Sequence, residues 1–296
     1  MTKVAVLGTF ETVAENSEIV ARHIEAAGGQ AIRIHRNEPW ISKIRKILSS
    51  QVVYGTGFGF AAKLWLLGRV LGKRTINHWV GTDVLMALED PRMRRMAQRA
   101  APFIGQHLTV APWLAQELET AGIRASLVPL VTPVRYDLRR RPAPAGVLAY
   151  LPDDRADFYG GPIVYAAARK LTEIPFAVLA GTQEKQPAIP NVRYFGWIDD
   201  IAPLYEQYPI LLRVARHDGL PKMVLEALAF GNHVIFEYPL EGCRHARTEA
   251  EAVSAIRDIV AEGCPINEAG RRLVQEHYRH DQVVAALLQM LGVVPQ

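Results

Sequence analysis

Residues 218–226 combine two carboxylates, Asp218 and Glu226, with a Gly-Leu-Pro turn at the start of an apolar, helix-like run. The first turn of a helix offers unpaired backbone N–H groups and about half a positive charge. Gly219 lets a ligand approach this backbone closely, because glycine has no side chain. The segment therefore predicts an anion site, and a diphosphate would fit it.

The elements that position this segment are specified in order along the chain. Residues 210–217, ILLRVARH, have the apolar pattern of a buried strand. Pro221 suits the first position of a helix, and Gly231 with Asn232 is typical of a helix end after Phe230. A strand, a turn and a helix N-terminus are the predicted order.

Residue type alone allows two roles for Glu226, as a carboxylate that binds a ligand or as a surface residue. It lies more than one turn inside the predicted helix among apolar neighbours, where a charge needs a partner. One interpretation is that it points to solvent and pairs with Lys222, four residues earlier. Asp218 could similarly be a turn residue that hydrogen-bonds the backbone two residues on.

The segment HDGLPKMVLEALAFGNHVI resembles the Glu-x7-Glu segment of GT-B glycosyltransferases, especially family 4. In that family the second glutamate binds the ribose hydroxyls of a sugar nucleotide, and the first contacts the donor sugar. The resemblance implies ribose binding by Glu226 and a donor-sugar contact by Asp218. It also implies that the backbone of Gly219, Leu220 and Pro221 meets the pyrophosphate.

The chain departs from the family pattern in three places. Asp218 replaces the first glutamate, His233 stands where proline is common, and residues 150–161 lack the usual Gly-Arg and Lys-Gly diphosphate motif. A cation must still balance the leaving diphosphate. The candidates are Arg155, Arg213, Arg216 and Lys222, of which Arg155 and Lys222 are favoured.

The resemblance is specific over residues 192–240 and extends over residues 146–292. Family members place a strand that ends in a Phe-x-Gly-like turn and a short helix before the acidic motif. The resemblance therefore implies that the backbone near Trp197 and Ile198 meets the nucleotide base.

The first half carries one local signal, NHWVGTDVL, at the carboxyl end of a predicted strand. It resembles a Trp-x-Gly-x-Asp element of bacterial glycosyltransferases. His78, Trp79 and Asp83 could orient an acceptor hydroxyl, Asp83 by accepting a hydrogen bond and Trp79 by stacking on a sugar. Core packing of the two rings and helix capping by Asp83 are the alternatives.

Gly55, Gly57 and Gly59 follow another predicted strand and invite comparison with a dinucleotide-binding turn. Phe60 stands where that motif needs glycine, and the acidic residue expected about twenty positions later is missing. We interpret the segment as a close-packed loop that lines the acceptor cleft.

Strand-like runs recur every 20 to 40 residues between helical patterns, which predicts parallel sheets. Residues 134–146, rich in arginine and proline, read as a linker. The expected fold is α/β of GT-B type, with two Rossmann-like doubly wound parallel-sheet domains facing a central cleft. Residues 1–140 would bind the acceptor, and residues 141–296 the nucleotide-sugar donor.

The net charge of +4 is unevenly divided, because residues 1–145 carry 20 Lys+Arg against 11 Asp+Glu, and the remainder 14 against 19. This asymmetry indicates an anionic partner for the first half. No zinc-finger, RNP-like or basic-tail signal favours nucleic acid. The basic amphipathic stretches at residues 39–50 and 58–74 could lie on an anionic membrane surface or pack as core helices.

The resemblance implies transfer of a sugar from a UDP- or GDP-sugar to an acceptor hydroxyl, with retention and without a metal or further cofactor. The acceptor would be a glycan or a lipid-linked cell-envelope or exopolysaccharide precursor. A nucleotide-sugar epimerase of the same architecture and an inactive GT-B-like binding subunit remain the alternatives. Two cysteines and no signal peptide favour a cytoplasmic protein, peripheral at the inner membrane face.

Overall fold

The computed structural model describes residues 1–11, 15–58, 62–131, 134 and 144–294. The chain forms two compact units. The first comprises residues 1–133 together with 280–296, and the second comprises residues 134–279.

The first unit contains a six-stranded parallel sheet with the order β2-β1-β3-β4-β5-β6. Its strands are β1 (Lys3–Gly8), β2 (Gln30–His35), β3 (Val52–Thr56), β4 (Arg74–Trp79), β5 (Gln106–Thr109) and β6 (Ser126–Leu127). Its helices are α1 (Asn16–Ala26), α2 (Trp40–Leu48), α3 (Ala62–Val70), α4 (Thr82–Glu89), α5 (Pro91–Ala100), α6 (Pro112–Thr120) and the C-terminal α12 (His280–Leu291). A short 3-10 turn, Ala101–Phe103, follows α5.

The second unit contains another six-stranded parallel sheet, with the order β12-β11-β10-β7-β8-β9. Its strands are β7 (Val147–Tyr150), β8 (Phe176–Leu179), β9 (Val192–Gly196), β10 (Ile210–Arg213), β11 (His233–Phe236) and β12 (Cys243–His245). Its helices are α7 (Gly161–Lys170), α8 (Ala202–Gln207), α9 (Lys222–Phe230), α10 (Glu249–Ala261) and α11 (Glu268–His277).

The central strands β7, β8, β10 and β11 are almost wholly apolar and buried. Parallel strands with helices on both faces lose the polar alternation of a half-exposed sheet, and this explains their composition. The predicted fold class, with two doubly wound parallel sheets, is confirmed.

The last helix belongs to the first unit, whereas the expected domain division assigned the whole C-terminal tail to the second domain. Val283, Leu287 and Leu291 of α12 pack in the core of the first unit, where α1 contributes Val20 and Ile24. The burial of this apolar face against the first sheet places α12 in the first unit.

Candidate functional site

The sheet of the second unit has its topological switch point between β7 and β10. From β7 the strand order continues to β8 and β9, and from β10 it continues in the opposite direction to β11 and β12. Open α/β sheets bind ligands outside the carboxyl ends of the strands at such a point. The loops at residues 151–160 and 214–221 follow these two strands and flank the crevice.

The two loops at the switch point are held against each other. The backbone N–H of Arg216 donates to the carbonyl of Phe158 at 2.8 Å. Gly160, at a φ of 85°, lies so close to Val214 that a Cβ there would come within 2.3 Å of the Val214 carbonyl oxygen. Any side chain at position 160 would therefore separate the loops.

Helix α9 starts directly at this crevice. Pro221 is its N-cap, with an extended ψ of 137°, and Gly231, which has a φ of 92°, is its C-cap after Phe230. The predicted end at Phe230 is confirmed, while the helix begins at Lys222, one residue after the predicted start at Pro221. The unpaired N–H groups of the first turn face outward from the helix end, where they could bind phosphate oxygens.

Asp218 is anchored in the loop that precedes α9. Its Oδ2 accepts a hydrogen bond from Nε of Arg213 at 3.0 Å and a second, short one from Nη2 of the same guanidinium. Its Oδ1 accepts from the backbone N–H of Gly219 at 3.0 Å. The carboxylate therefore has one fixed orientation at the carboxyl end of β10.

Arg213 is buried, and aromatic rings surround its guanidinium. The guanidinium carbon lies 5.3 Å from the ring centre of Tyr150 and 4.5 Å from that of Tyr159. Arg155, which is exposed on the β7–α7 loop, lies 5.2 Å from the same Tyr159 ring. Cation–π contacts thus connect both loops through Tyr159.

Arg213 and Arg155 differ in exposure. Sequence reasoning favoured Arg155 and Lys222, and not Arg213, as the cations that balance a diphosphate. Arg213 is committed to Asp218, whereas Arg155 keeps its charge at the surface of the crevice. Arg216 is also exposed.

Glu226 is mostly buried, since its side chain is 19% exposed, and it has two partners. Its carboxylate pairs with Nζ of Lys222 at 3.1 Å and accepts from the hydroxyl of buried Tyr205 at 3.4 Å. Burial raises the pKa of Glu226, and Lys222 partly offsets this rise. The ion pair with Lys222 agrees with the interpretation of Glu226 as a surface residue, but its low exposure does not agree with a side chain that points to solvent.

The β9–α8 loop leads into helix α8, whose Tyr205 contacts Glu226. Trp197 in this loop is 76% exposed, and its Nε1 donates to Asp199 at 3.0 Å. Ile198 next to it is half-buried. An exposed indole is suited to stacking on a nucleotide base.

Glu237 is a carboxylate of this region that sequence reasoning missed. It follows β11, is only 3% exposed, and neither carboxylate oxygen has a hydrogen-bond partner on another described residue. Burial raises its pKa to about 8, the charge of Asp218 adds to the rise, and Arg213 and Arg247 oppose it. The only sequence signal was an acid directly after an apolar strand.

His78, predicted to act in catalysis, is wholly buried in the first unit. Its Nδ1 lies 2.9 Å from the hydroxyl of Tyr54, and its Nε2 lies 2.7 Å from the carbonyl oxygen of Val128. Burial lowers the pKa of His78 to about 4. Both ring nitrogens are used in the core, so this position supports the packing alternative instead of the catalytic role.

Asp83 holds two loops of the first unit together. Its Oδ2 accepts from the N–H of Phe58 at 3.1 Å, and its Oδ1 accepts from the N–H groups of Val80 and Gly81, both at 3.0 Å. The carboxylate is buried. These contacts favour a structural role over orientation of an acceptor hydroxyl. The role differs from the expected helix cap, because Asp83 lies inside α4 and the N-cap is Gly81.

Trp79 belongs to a buried aromatic stack, so it presents no face to a sugar. Phe58 lies between Trp79, at 5.0 Å, and Trp65, at 6.0 Å, with nearly parallel rings. Gly55 beneath the stack is a close-packed position, because a Cβ there would lie 3.0 Å from Trp65. Gly59 of the same glycine-rich segment lies outside the described residues.

In the part of the chain that the structure describes, no group of three or more His, Cys, Asp or Glu residues could hold a metal ion. None of the described helices combines the length and the apolar character needed to span a bilayer.

The fold is similar to those of several solved glycosyltransferases. HepE from Anabaena, solved with UDP, has a TM-score of 0.76 at 11% identity and covers 99% of this chain and 100% of its own. Sucrose-phosphate synthase from Thermosynechococcus elongatus has a TM-score of 0.73 at 12% identity and covers 98% of both chains. A glycosyltransferase from Rickettsia africae has a TM-score of 0.72 at 12% identity and covers 98% of this chain and 97% of its own.

The chain matches no protein-family model, and its sequence matches no curated protein. The structural similarity therefore concerns the fold, which is that of GT-B glycosyltransferases with two Rossmann-like domains.

Proposed function

We propose that this chain is a glycosyltransferase that moves a sugar from a UDP- or GDP-sugar to an acceptor hydroxyl. One observation carries the proposal. The switch-point crevice of the second unit presents the N-terminus of α9, an anchored Asp218 and a half-buried Glu226 within nine residues. This combination suits the diphosphate, sugar and ribose of one ligand.

The donor is proposed to lie along α9. Its diphosphate meets the backbone of Gly219, Leu220 and Pro221 and the unpaired N–H groups of the first turn. Arg155, Arg216 and Lys222 are the exposed cations of the crevice that supply the balancing charge.

The nucleoside is proposed to lie toward the β9–α8 loop. Glu226 accepts hydrogen bonds from the ribose hydroxyls, and the base lies against Trp197 and Ile198. The contact between Glu226 and Tyr205 of helix α8 supports this placement, because the β9–α8 loop leads directly into that helix. The solved complexes of HepE with UDP and UDP-glucose support the class of donor.

In the proposed reaction the bond between the anomeric carbon and the diphosphate oxygen breaks, and the acceptor oxygen forms the new bond. The acceptor proton leaves with the diphosphate. The N-terminus of α9 and the exposed cations stabilise the charge that develops on the leaving group. Asp218, oriented by Arg213, contacts the donor sugar, and we propose retention of configuration without a metal.

The acceptor is proposed to be a glycan or a lipid-linked precursor of the cell envelope or an exopolysaccharide. The positive charge of the first half supports an anionic environment for it. A peripheral position at the inner face of a membrane, with the protein in the cytoplasm, belongs to the same proposal.

Calorimetry with UDP-, GDP-, ADP- and TDP-sugars tests the proposal. We expect one nucleotide class to bind the wild-type chain and Glu226→Ala to weaken that binding strongly. Glu206→Ala is the matched control, because Glu206 is an exposed glutamate on the neighbouring helix α8. Absence of binding to every nucleotide, or equal losses in the two variants, would overturn the ribose role of Glu226.

A further inference from the structure

The first unit carries a groove that the donor site does not use. Helices α3 and α5 and the 3-10 turn after α5 enclose a volume of about 480 Å³. This is within the size range of ligand-binding clefts. The groove is lined by Ala62, Lys63, Leu66, Arg92, Arg95, Met96, Arg99, Ala100 and Phe103.

The polar side chains of the groove are all cations. Lys63 on α3 and Arg92, Arg95 and Arg99 on α5 line it, and none of the described lining residues is a carboxylate. The three arginines are three and four residues apart, a spacing that puts them on one face of the helix. Among the described residues, none of these four cations forms an ion pair. Four like charges around one groove repel each other unless an anion lies between them.

The interior of the groove is apolar and open. Leu66 is 43% exposed and Phe103 is 42% exposed, and Met96 lies between the arginines along α5. Leu66 is on the side of α3 opposite the buried residues Leu64 and Trp65, so the protein core does not need it. A ligand that fits must combine a hydrocarbon part with a negative charge.

We propose that this groove docks an anionic phospholipid at a membrane surface. A hydrocarbon chain would contact Leu66, Met96 and Phe103, and the phosphate would lie among the guanidinium groups. This docking would supply the membrane contact of the proposed function, and its biological setting rests on that function. Phospholipid docking requires no sugar transfer, so docking and transferase activity can be tested separately.

Helix α2, the other basic stretch, fits this role less well. Nζ of Lys43 donates to the carbonyl of Arg36 at 2.7 Å, and Nζ of Lys46 pairs with Glu38 at 2.6 Å. Two of its three cations are therefore engaged within the protein, which leaves Arg45. The cations of the groove are available together.

Vesicle co-sedimentation tests the proposal with the full chain. The probes are vesicles of phosphatidylcholine alone and vesicles with about a third phosphatidylglycerol. We expect binding only to the anionic vesicles. The double variant Arg95→Ala with Arg99→Ala should bind about thirty-fold more weakly, from about 1 kcal/mol for each cation near an anionic surface.

The matched control is Arg45→Ala with Arg124→Ala, which removes the same charge from exposed positions elsewhere in the first unit. It should bind within about threefold of the wild type, because long-range charge alone acts weakly under salt screening. An equal loss in the control would assign binding to net charge, or to α2, and overturn the groove.

A third variant, Leu66→Ser with Phe103→Ser, tests the apolar part, and both side chains are exposed enough for the fold to tolerate it. The binding that remains should be lost at high salt, whereas the wild type keeps a salt-resistant part. A wild type that ignores anionic vesicles but binds heparin through Arg95 and Arg99 would assign the groove to a soluble polyanion and overturn the proposal. Nucleotide binding by calorimetry would be unaffected in either case.

Discussion

The guanidinium of Arg213 binds Oδ2 of Asp218 through two nitrogen atoms, with Nε at 3.0 Å. Arg213 ends strand β10, and Asp218 is the last residue before the Gly-Leu-Pro turn. The pair therefore fixes the start of α9 relative to the buried strand β10. It also holds a carboxylate, one methylene shorter than glutamate, in a defined place in the crevice.

Arg213→Lys keeps the charge but cannot reproduce the two hydrogen bonds that one planar guanidinium donates to Oδ2 of Asp218. We expect kcat to fall by about tenfold to a hundredfold, because a carboxylate displaced by about 1 Å loses its alignment with the donor sugar. The donor Kd should change little. Steady-state kinetics with the donor found by calorimetry measures both quantities.

Arg193→Lys is the control for this substitution. Arg193 also lies over an aromatic ring, 4.6 Å from the centre of Phe195, but is exposed on β9. If the two variants have equal turnover, Arg213 has no positioning role.

Glu226 offers a test at the level of single hydroxyl groups. A carboxylate that accepts from ribose is worth about 1.5–3 kcal/mol, so Glu226→Ala should weaken nucleotide binding about tenfold to a hundredfold. A 2′-deoxynucleotide should bind the wild type more weakly for the same reason. In the variant, the deoxynucleotide and the parent nucleotide should bind equally.

This comparison is a double-mutant cycle between one side chain and one ligand group. Independent, additive losses would show that Glu226 acts elsewhere, for example only through its ion pair with Lys222. Isothermal titration of the four combinations gives the coupling directly.

Glu237 predicts a pH dependence of stability. Its pKa is about 8 in the folded protein and 4.5 in its ordinary state. The folded state therefore binds a proton that the unfolded state has released between these values. Stability should fall as pH rises through this window, by about 1.4 kcal/mol for each pH unit at most.

Glu237→Gln removes this titration while keeping the shape of the side chain. The variant should equal the wild type near pH 4.5 and become progressively more stable than the wild type up to about pH 8. Urea unfolding at a series of pH values measures the difference. Glu262→Gln, at an exposed position, should show no such trend. A constant difference across the pH range would mean that Glu237 is not titrated as the fold implies.

Asp83→Ala distinguishes the structural role of this residue from the predicted catalytic one. The substitution leaves the N–H groups of Phe58, Val80 and Gly81 without their acceptor. We expect a loss on the order of 3 kcal/mol in the free energy of unfolding. Asp83→Asn keeps one acceptor oxygen and should lose less.

Unfolding can be followed by the fluorescence of the buried Trp65 and Trp79 in the same unit. Unchanged stability with reduced turnover would restore Asp83 to the catalytic role that its strand-end position predicted.

The sequence by itself determined the local features of the candidate site. An apolar run, a Gly-Leu-Pro turn and a glycine after Phe230 defined β10, α9 and the spacing of Asp218 and Glu226. These features depend on backbone preferences of single residues, because proline limits a helix start and glycine accepts the positive φ of a helix end. The repeated strand and helix pattern likewise determined two parallel sheets.

Tertiary packing decided which of the candidate side chains are exposed and which are buried. His78 and Trp79 lie at the end of strand β4, a position that predicted contact with a ligand, yet both rings are buried in the core of the first unit. Glu237 is buried because β11 lies inside the sheet between β10 and β12, a neighbourhood that no local pattern specifies, and no other described residue hydrogen-bonds its carboxylate. The apolar face of α12 fits either sheet by sequence, and only its burial against α1 assigns it to the first unit.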